Sequence, residues 1–175
     1  MRFIADASVL LPLLSTDHPH HKLARGWWDE CRDGEVGFCW PVRMALLRLL
    51  SNRRVMGSSV QRPEAAWAAV EALAAQSALV PVDELPGSHA ARWRENVAGR
   101  EPTPDLWTDA WIAALAQATG CEVVTFDRGF RAFKDLQLRE LGRRRTLSEL
   151  LARLPPADFS EGIPDPPPDP VEWIE

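Results

Sequence analysis

The stretch Asp105-Leu106-Trp107-Thr108-Asp109-Ala110-Trp111-Ile112-Ala113-Ala114-Leu115-Ala116-Gln117-Ala118-Thr119-Gly120-Cys121-Glu122-Val123-Val124-Thr125-Phe126-Asp127 decides the fold. Asp105–Ala118 reads as an apolar helix, and Gly120 suits the left-handed turn that follows a helix end. Glu122–Phe126 is a short apolar run of the kind buried in a parallel strand, and it closes on an acid. Asp105 and Asp109 stand four apart, so both project from one face of the first helical turns. A helix that feeds directly into such a strand belongs to an alternating α/β chain.

The pattern extends in both directions. Arg2–Asp6 is a first strand, also closed by an acid, after which Ser8 can cap a short helix through Leu14. His18 to about Cys31 is a helix with Leu23, Ala24, Trp27 and Trp28 as its apolar stripe, and Gly34 breaks it. Val36–Trp40 is a second strand, and Pro41 is well placed in the first turn of a helix carrying Met44, Leu47 and Leu50. After a polar turn come a helix over Arg62–Ala75, a third strand at Leu79–Val82, and a helix from Pro86 to about Val97. Beyond the fourth strand, Gly129–Phe133 reads as a short helix and Leu136–Leu138 as a fifth, edge strand. Strands alternating with helices, and no hairpin signal, predict an α/β fold with a parallel sheet covered on both faces.

The chain has 175 residues, enough for one domain with a substantial core. No apolar run approaches the roughly 20 residues that span a bilayer. A strand that begins two residues after Met1 leaves no room for a signal peptide. Cys31, Cys39 and Cys121 are odd in number and lack a CxxC pair, so they read as reduced thiols and the expected location is cytoplasmic. The net charge of −5 is unevenly spread. Six acids and no Lys or Arg lie in Pro155–Glu175, which leaves the body near neutral, with basic clusters at Arg53–Arg54 and at Arg139 with Arg143–Arg145. Such a body is compatible with a polyanionic substrate. The expected organisation is a domain over 1–145, a helical extension over 146–154 and an acidic tail over 155–175. Seven of the last 21 residues are proline, and the tail reads as extended.

Four acids carry the chemistry: Asp6, Asp105, Asp109 and Asp127. Like charges at close range raise each other's pKa. A fold that gathers them at the C-terminal edge of a parallel sheet is therefore suited to a hard cation such as Mg²⁺. Each acid also has a plain reading, Asp105 and Asp127 as helix caps above all. Thr125 and Ser8 are hydroxyls beside the acids that can bind a phosphate or a metal-bound water. Arg48, Arg128 and Arg43 are candidates to neutralise a substrate backbone.

Three motifs together resemble the PIN-domain ribonucleases, the VapC-type toxins of bacterial toxin–antitoxin modules most of all. They are Phe3-Ile4-Ala5-Asp6-Ala7-Ser8-Val9-Leu10, Trp107-Thr108-Asp109-Ala110-Trp111-Ile112-Ala113-Ala114-Leu115-Ala116 and Val123-Val124-Thr125-Phe126-Asp127-Arg128-Gly129-Phe130. The resemblance spans about residues 1–142. It implies a PIN-like five-stranded parallel sheet of order 3-2-1-4-5 and a Mg²⁺- or Mn²⁺-dependent endoribonuclease. It also implies a homodimer, and inhibition by a VapB-like antitoxin. By motif position Asp6, Asp109 and Asp127 would be metal ligands, with Asp105 accessory and Thr125 close by. Arg48 and Arg128, with Ser8 and Thr125, would serve the substrate.

One position departs from the pattern. The family usually places a Glu in the helix after strand 2, whereas here Arg43-Met44-Ala45-Leu46-Leu47-Arg48 has Ala45 near that place and no carboxylate between Pro41 and Leu50. The alternative function is therefore a degenerate PIN module that binds RNA or a partner without catalysis. Phosphotransfer classes fit less well. A dehalogenase-type phosphatase needs a second Asp where Ser8 stands, and a receiver domain needs an acidic pair on strand 1. His18, His20 and His21 straddle a proline and read as a solvated turn, and His89 reads as structural. Trp27, Trp67 and Trp111 fall in apolar stripes, where core or dimer packing is expected rather than base stacking.

Overall fold

The computed structural model describes residues 1–142. Its strands are β1 (Phe3–Ala5), β2 (Val36–Cys39), β3 (Leu79–Val82), β4 (Glu122–Thr125) and β5 (Leu138–Glu140). They form one sheet in the order β3-β2-β1-β4-β5, every pair parallel. Parallel neighbours need crossovers, which the helices α1 (Ala7–Leu13), α2 (His21–Trp28), α3 (Trp40–Leu50), α4 (Arg53–Met56), α5 (Pro63–Ala74), α6 (His89–Val97) and α7 (Leu106–Thr119) supply. Successive strand residues face opposite sides of a sheet. Phe3, Ile4 and Ala5 are all buried, as are Val36, Phe38, Val123 and Val124, so both faces of the central strands are covered. The sheet order is the one that the resemblance implies.

The polarity of the sheet positions the site. β1, β2 and β4 end at one edge, and α7, which precedes β4, begins there. Gly120 takes a left-handed conformation (φ +71°) and lets the chain turn from α7 into β4 within two residues.

Several element boundaries differ from the sequence reading. The cap of α1 is Asp6, not Ser8. Asp6 has extended backbone angles and its carboxylate accepts from the Ala7 and Ser8 amides, while the Ser8 hydroxyl is drawn to Phe126 N–H. α2 starts at His21 rather than His18, because His18 precedes Pro19 and residues before proline avoid helical angles. α6 starts at His89 after the turn Pro86–Ser88. The polar turn after α3 contains a short helix, α4, capped by Asn52. β5 lies two residues beyond Leu136–Leu138. Asp135 adopts a positive φ, and Arg139 joins the strand by pairing with Glu122 at 2.9 Å. A charged edge strand of this kind carries no apolar signal. Trp67 is half exposed on α5 and donates to Glu71, so it is not a core residue. Trp27 is buried, and Trp111 is half-buried against His89. Buried His89 itself donates to the Trp111 carbonyl. Cys39 and Cys121 are buried and all three cysteines are free. The expected helix at 146–154 and the tail at 155–175 lie outside the described residues.

The core depends on its central strand. Ile4 has no exposed surface, and truncating such a residue costs about 2–5 kcal/mol. Ile4→Ala is expected to lower the midpoint of chemical denaturation by that amount with an unchanged m-value, measured by circular dichroism.

Candidate active site

Asp6 stands at the end of β1, and three hydrogen bonds hold its carboxylate. Oδ1 accepts from Ala7 N–H at 2.7 Å, and Oδ2 accepts from Ser8 N–H at 3.3 Å and from the Thr125 hydroxyl at 3.1 Å. Thr125 closes β4 and is fully buried. Its Oγ1 accepts from Asp127 N–H at 2.9 Å and lies 3.2 Å from Ser8 Oγ, which in turn accepts from Phe126 N–H at 3.1 Å. With one hydrogen on each hydroxyl, Ser8 donates to Thr125 and Thr125 donates to Asp6. The two hydroxyls thus tie the end of β1 to the end of β4. They hold acids in place with both of their hydrogens already used.

Asp127 lies just beyond that knot, exposed, with Oδ1 accepting from Gly129 N–H at 2.7 Å as the cap of a 3-10 turn at Arg128–Ala132. Asp109 sits in the first turns of α7, half-buried. Burial first, then the Asp6, Asp127 and Asp105 carboxylates, pushes its carboxyl up to about 7. Burial also raises Asp6, against the lowering effect of its hydrogen bonds from Ser8, Thr125 and Ala7. The three acids expected to act together are thus within electrostatic reach of one another.

The remaining candidates are more peripheral. Asp105 immediately precedes α7 but makes no side-chain cap bond. It is exposed, and the Arg48 guanidinium is 4.0 Å away, a weak surface contact. That contact sets Asp105 against α3, the helix in which Ala45 stands. Arg128 is exposed in the 3-10 turn. Arg43 lies against the Phe38 and Trp40 rings on the first turn of α3. Trp40, which sequence reasoning passes over as the end of a strand, is exposed at the same sheet edge. The available signal is that the residue after a parallel strand emerges beside its neighbours' ends. The histidines do not form a ligand set. His21 donates to the Pro12 carbonyl, His18 Nδ1 accepts from His20 N–H, and His20 stacks on Phe126.

A hard divalent cation suits this donor set. Asp6, Asp109 and Asp127 are oxygen donors that crowd one edge with no Lys or Arg paired to any of them among the described residues. As placed, however, no three acid, His or Cys side chains among the described residues stand close enough to share one ion.

The PIN domain family model matches residues 3–136. Ribonuclease VapC41 of Mycobacterium tuberculosis is 34% identical over 144 residues, covering 80% of this chain and 99% of its own. Ribonuclease VapC31 of the same species is 36% identical over 137 residues, covering 77% of this chain and 95% of its own. The chain therefore belongs to the PIN-domain family, among its VapC ribonucleases. Solved structures share the fold. One is the Mycobacterium tuberculosis VapC20, described as a sarcin-ricin loop cleaving toxin, with a TM-score of 0.58 at 22% identity, covering 78% of this chain and 98% of that one. Another is VapBC2 from Rickettsia felis bound to a DNA fragment from their promoter, with a TM-score of 0.57 at 12% identity, covering 81% and 99%.

The raised Asp109 carboxyl has a stability consequence. An unfolded aspartate loses its proton near pH 4, whereas folded Asp109 holds its proton up to about 7. Over that window the folded state binds more protons, so stability without metal falls as pH rises and levels off above pH 7. Asp109→Asn is expected to raise metal-free stability at pH 8 by about 1–2 kcal/mol, a figure already discounted for solvent screening of a half-buried group. The gain is expected to vanish near pH 4. Thermal unfolding in EDTA at the two pH values checks it.

Proposed function

We propose that this chain is a metal-dependent endoribonuclease that hydrolyses RNA phosphodiester bonds, the toxin of a VapBC-type toxin–antitoxin pair. The observation that carries the reading is that Asp6, Asp109 and Asp127 stand at one sheet edge within electrostatic reach of one another and with no Lys or Arg paired to them among the described residues, Asp109 being driven up to about 7. Asp6, Asp109 and Asp127 would hold Mg²⁺ or Mn²⁺. The ion would supply activation of a water and neutralisation of the phosphate under attack. Ligation by all three needs side-chain rotation, which exposed Asp127 and half-buried Asp109 allow.

The protein's own residues supply the rest. Thr125 and Ser8 serve the substrate indirectly, because both hydroxyls are committed to aiming Asp6 and the Asp127 backbone. Asp105 takes up part of the role of the acid that Ala45 replaces, from across the α3–α7 contact. Arg48 and Arg128 present exposed guanidinium groups to the RNA backbone.

A VapB-like antitoxin is the proposed inhibitor, a homodimer the proposed assembly and the cytoplasm the proposed location. Among the described residues no helix is long and apolar enough to cross a membrane.

Purified protein is expected to cleave RNA with Mn²⁺ or Mg²⁺ and to stop in EDTA. Asp6→Asn, Asp109→Asn and Asp127→Asn are each expected to lose at least about 100-fold in rate, within the span of removing a positioned general base or electrostatic stabiliser. Asp105→Asn is expected to lose less. The open ligand geometry favours one alternative, a PIN module that binds RNA without catalysis. If wild type binds RNA but cleaves no faster than Asp6→Asn, that alternative holds and the nuclease reading fails.

A further inference from the structure

The turn between α1 and α2 ends against the residue that links two members of the acid-bearing edge. His20 is exposed, yet its ring stacks on Phe126 with centroids 4.2 Å apart and planes 27° from parallel. The His18 ring meets that of His20 edge-on at 5.6 Å, and His18 Nδ1 accepts from His20 N–H at 3.1 Å. His21 donates to the Pro12 carbonyl at 2.7 Å, which ties the turn back to α1. Between these bonds Pro19 has a fixed φ. His20 is therefore carried on a braced turn.

Phe126 stands between Thr125, the buried hydroxyl that donates to Asp6, and exposed Asp127. Its N–H donates to Ser8 Oγ at 3.1 Å, and the next N–H, that of Asp127, donates to Thr125 Oγ1 at 2.9 Å. Gly142 lies against the Phe126 ring. A Cβ there would stand 3.6 Å from Phe126 Cε1 and 3.4 Å from Leu23 Cδ1 of α2. The chain thus enters Asp127 from a residue held at both its N–H and its ring. Apart from Gly129 N–H on Oδ1, what aims the exposed Asp127 carboxylate is the chain that carries it.

We propose that His20 is a positioning residue for the reaction: by stacking on Phe126 it fixes the end of β4 from which Asp127 reaches the metal ion. The inference rests on the ribonuclease reading above, in which Asp127 is a ligand. A stacked pair of rings prefers a few offsets and resists rotation away from them. In this role His20 touches neither ion nor substrate and moves no proton, so another flat ring serves as well. The histidine-rich turn, which lacks ligand spacing, acts on the site through Phe126 alone.

The test uses the full chain and two readouts. Mn²⁺ binding without RNA is followed by the paramagnetic resonance signal of the free ion, and RNA cleavage is measured across a Mn²⁺ series. His20→Ala is expected to weaken Mn²⁺ binding about 3- to 10-fold at unchanged stoichiometry, a loss of the size one aromatic stack can transmit. The Mn²⁺ concentration for half-maximal cleavage is expected to rise by the same factor, with KM for RNA unchanged. His20→Phe keeps the stack and is expected to restore wild-type affinity without altering the pH profile of cleavage. If His20→Ala does not fold, His20→Gln removes the ring and carries the same expectation. Unchanged affinity in the variant without a ring, or fewer sites at unchanged affinity, or a His20→Phe as weak as His20→Ala, overturns the positioning role while wild type still binds Mn²⁺ and cleaves RNA. A wild type that neither binds Mn²⁺ nor cleaves RNA removes the ribonuclease reading itself, a distinct result.

Discussion

The hydrogen bond from the Thr125 hydroxyl to Asp6 Oδ2 joins the ends of two strands that are far apart in sequence. It forms only because β1 and β4 are parallel neighbours in one register, with Ala5 level with Val124. Each strand then releases its acid one or two residues later at the same edge. Ser8 Oγ and Phe126 N–H extend the knot, and Thr125 Oγ1 accepts from Asp127 N–H. Loss of Thr125 would leave an N–H and a carboxylate oxygen short of partners in a buried place, which is costly for both. Thr125 is polar and fully buried, and it is better understood as a structural bolt than as a group waiting for substrate.

That bolt brings like charges together against their electrostatic preference. Two features of the chain soften the conflict without removing it. Asp6 caps α1, and Asp109 lies in the first turns of α7, so both occupy helix ends where backbone N–H groups favour negative charge. Asp109 is nonetheless driven up to about 7, by burial and then by the other three carboxylates. Without a metal this arrangement costs stability, and the divalent cation proposed above would relieve it. This is the strongest physical reason to attribute the cluster to metal chemistry rather than to capping alone.

Much of this was legible in the sequence because the signals are local and redundant. The α7–Gly120–β4 stretch shows its helix, its left-handed exit and its buried strand in consecutive residues, and Leu79–Val82 has the bounds predicted. The sheet order came with the resemblance, not from periodicity. Illegible elements were those decided by long-range contact. β5 is stabilised by Arg139 on Glu122 and by Glu140 with Arg131, charged pairs that leave no apolar pattern. The competition between Asp6 and Ser8 for the α1 cap was settled by β4, where Phe126 N–H claims the Ser8 hydroxyl. Trp67 falls in an apolar stripe that suits core or dimer packing, and its half-exposed position removes only the first of the two.

The same hydrogen bonds restrict what Asp6 can offer a cation. A carboxylate has about four acceptor positions. Three are engaged, by Ala7 N–H, Ser8 N–H and Thr125 Oγ–H, which leaves one. As a ligand Asp6 would thereby be a rigid, single-point donor rather than a bidentate one, and the adjustable part of the proposed ligand set would fall to Asp109 and Asp127. Asp127 spends one acceptor position on Gly129 N–H and stays exposed. Ala45 supplies no acid from α3, and that helix reaches the candidate acids through the Arg48 contact with Asp105. Under the proposed metal site, Ala45 would leave one carboxylate fewer at the rim, so the ion would depend more heavily on Asp109 and Asp127.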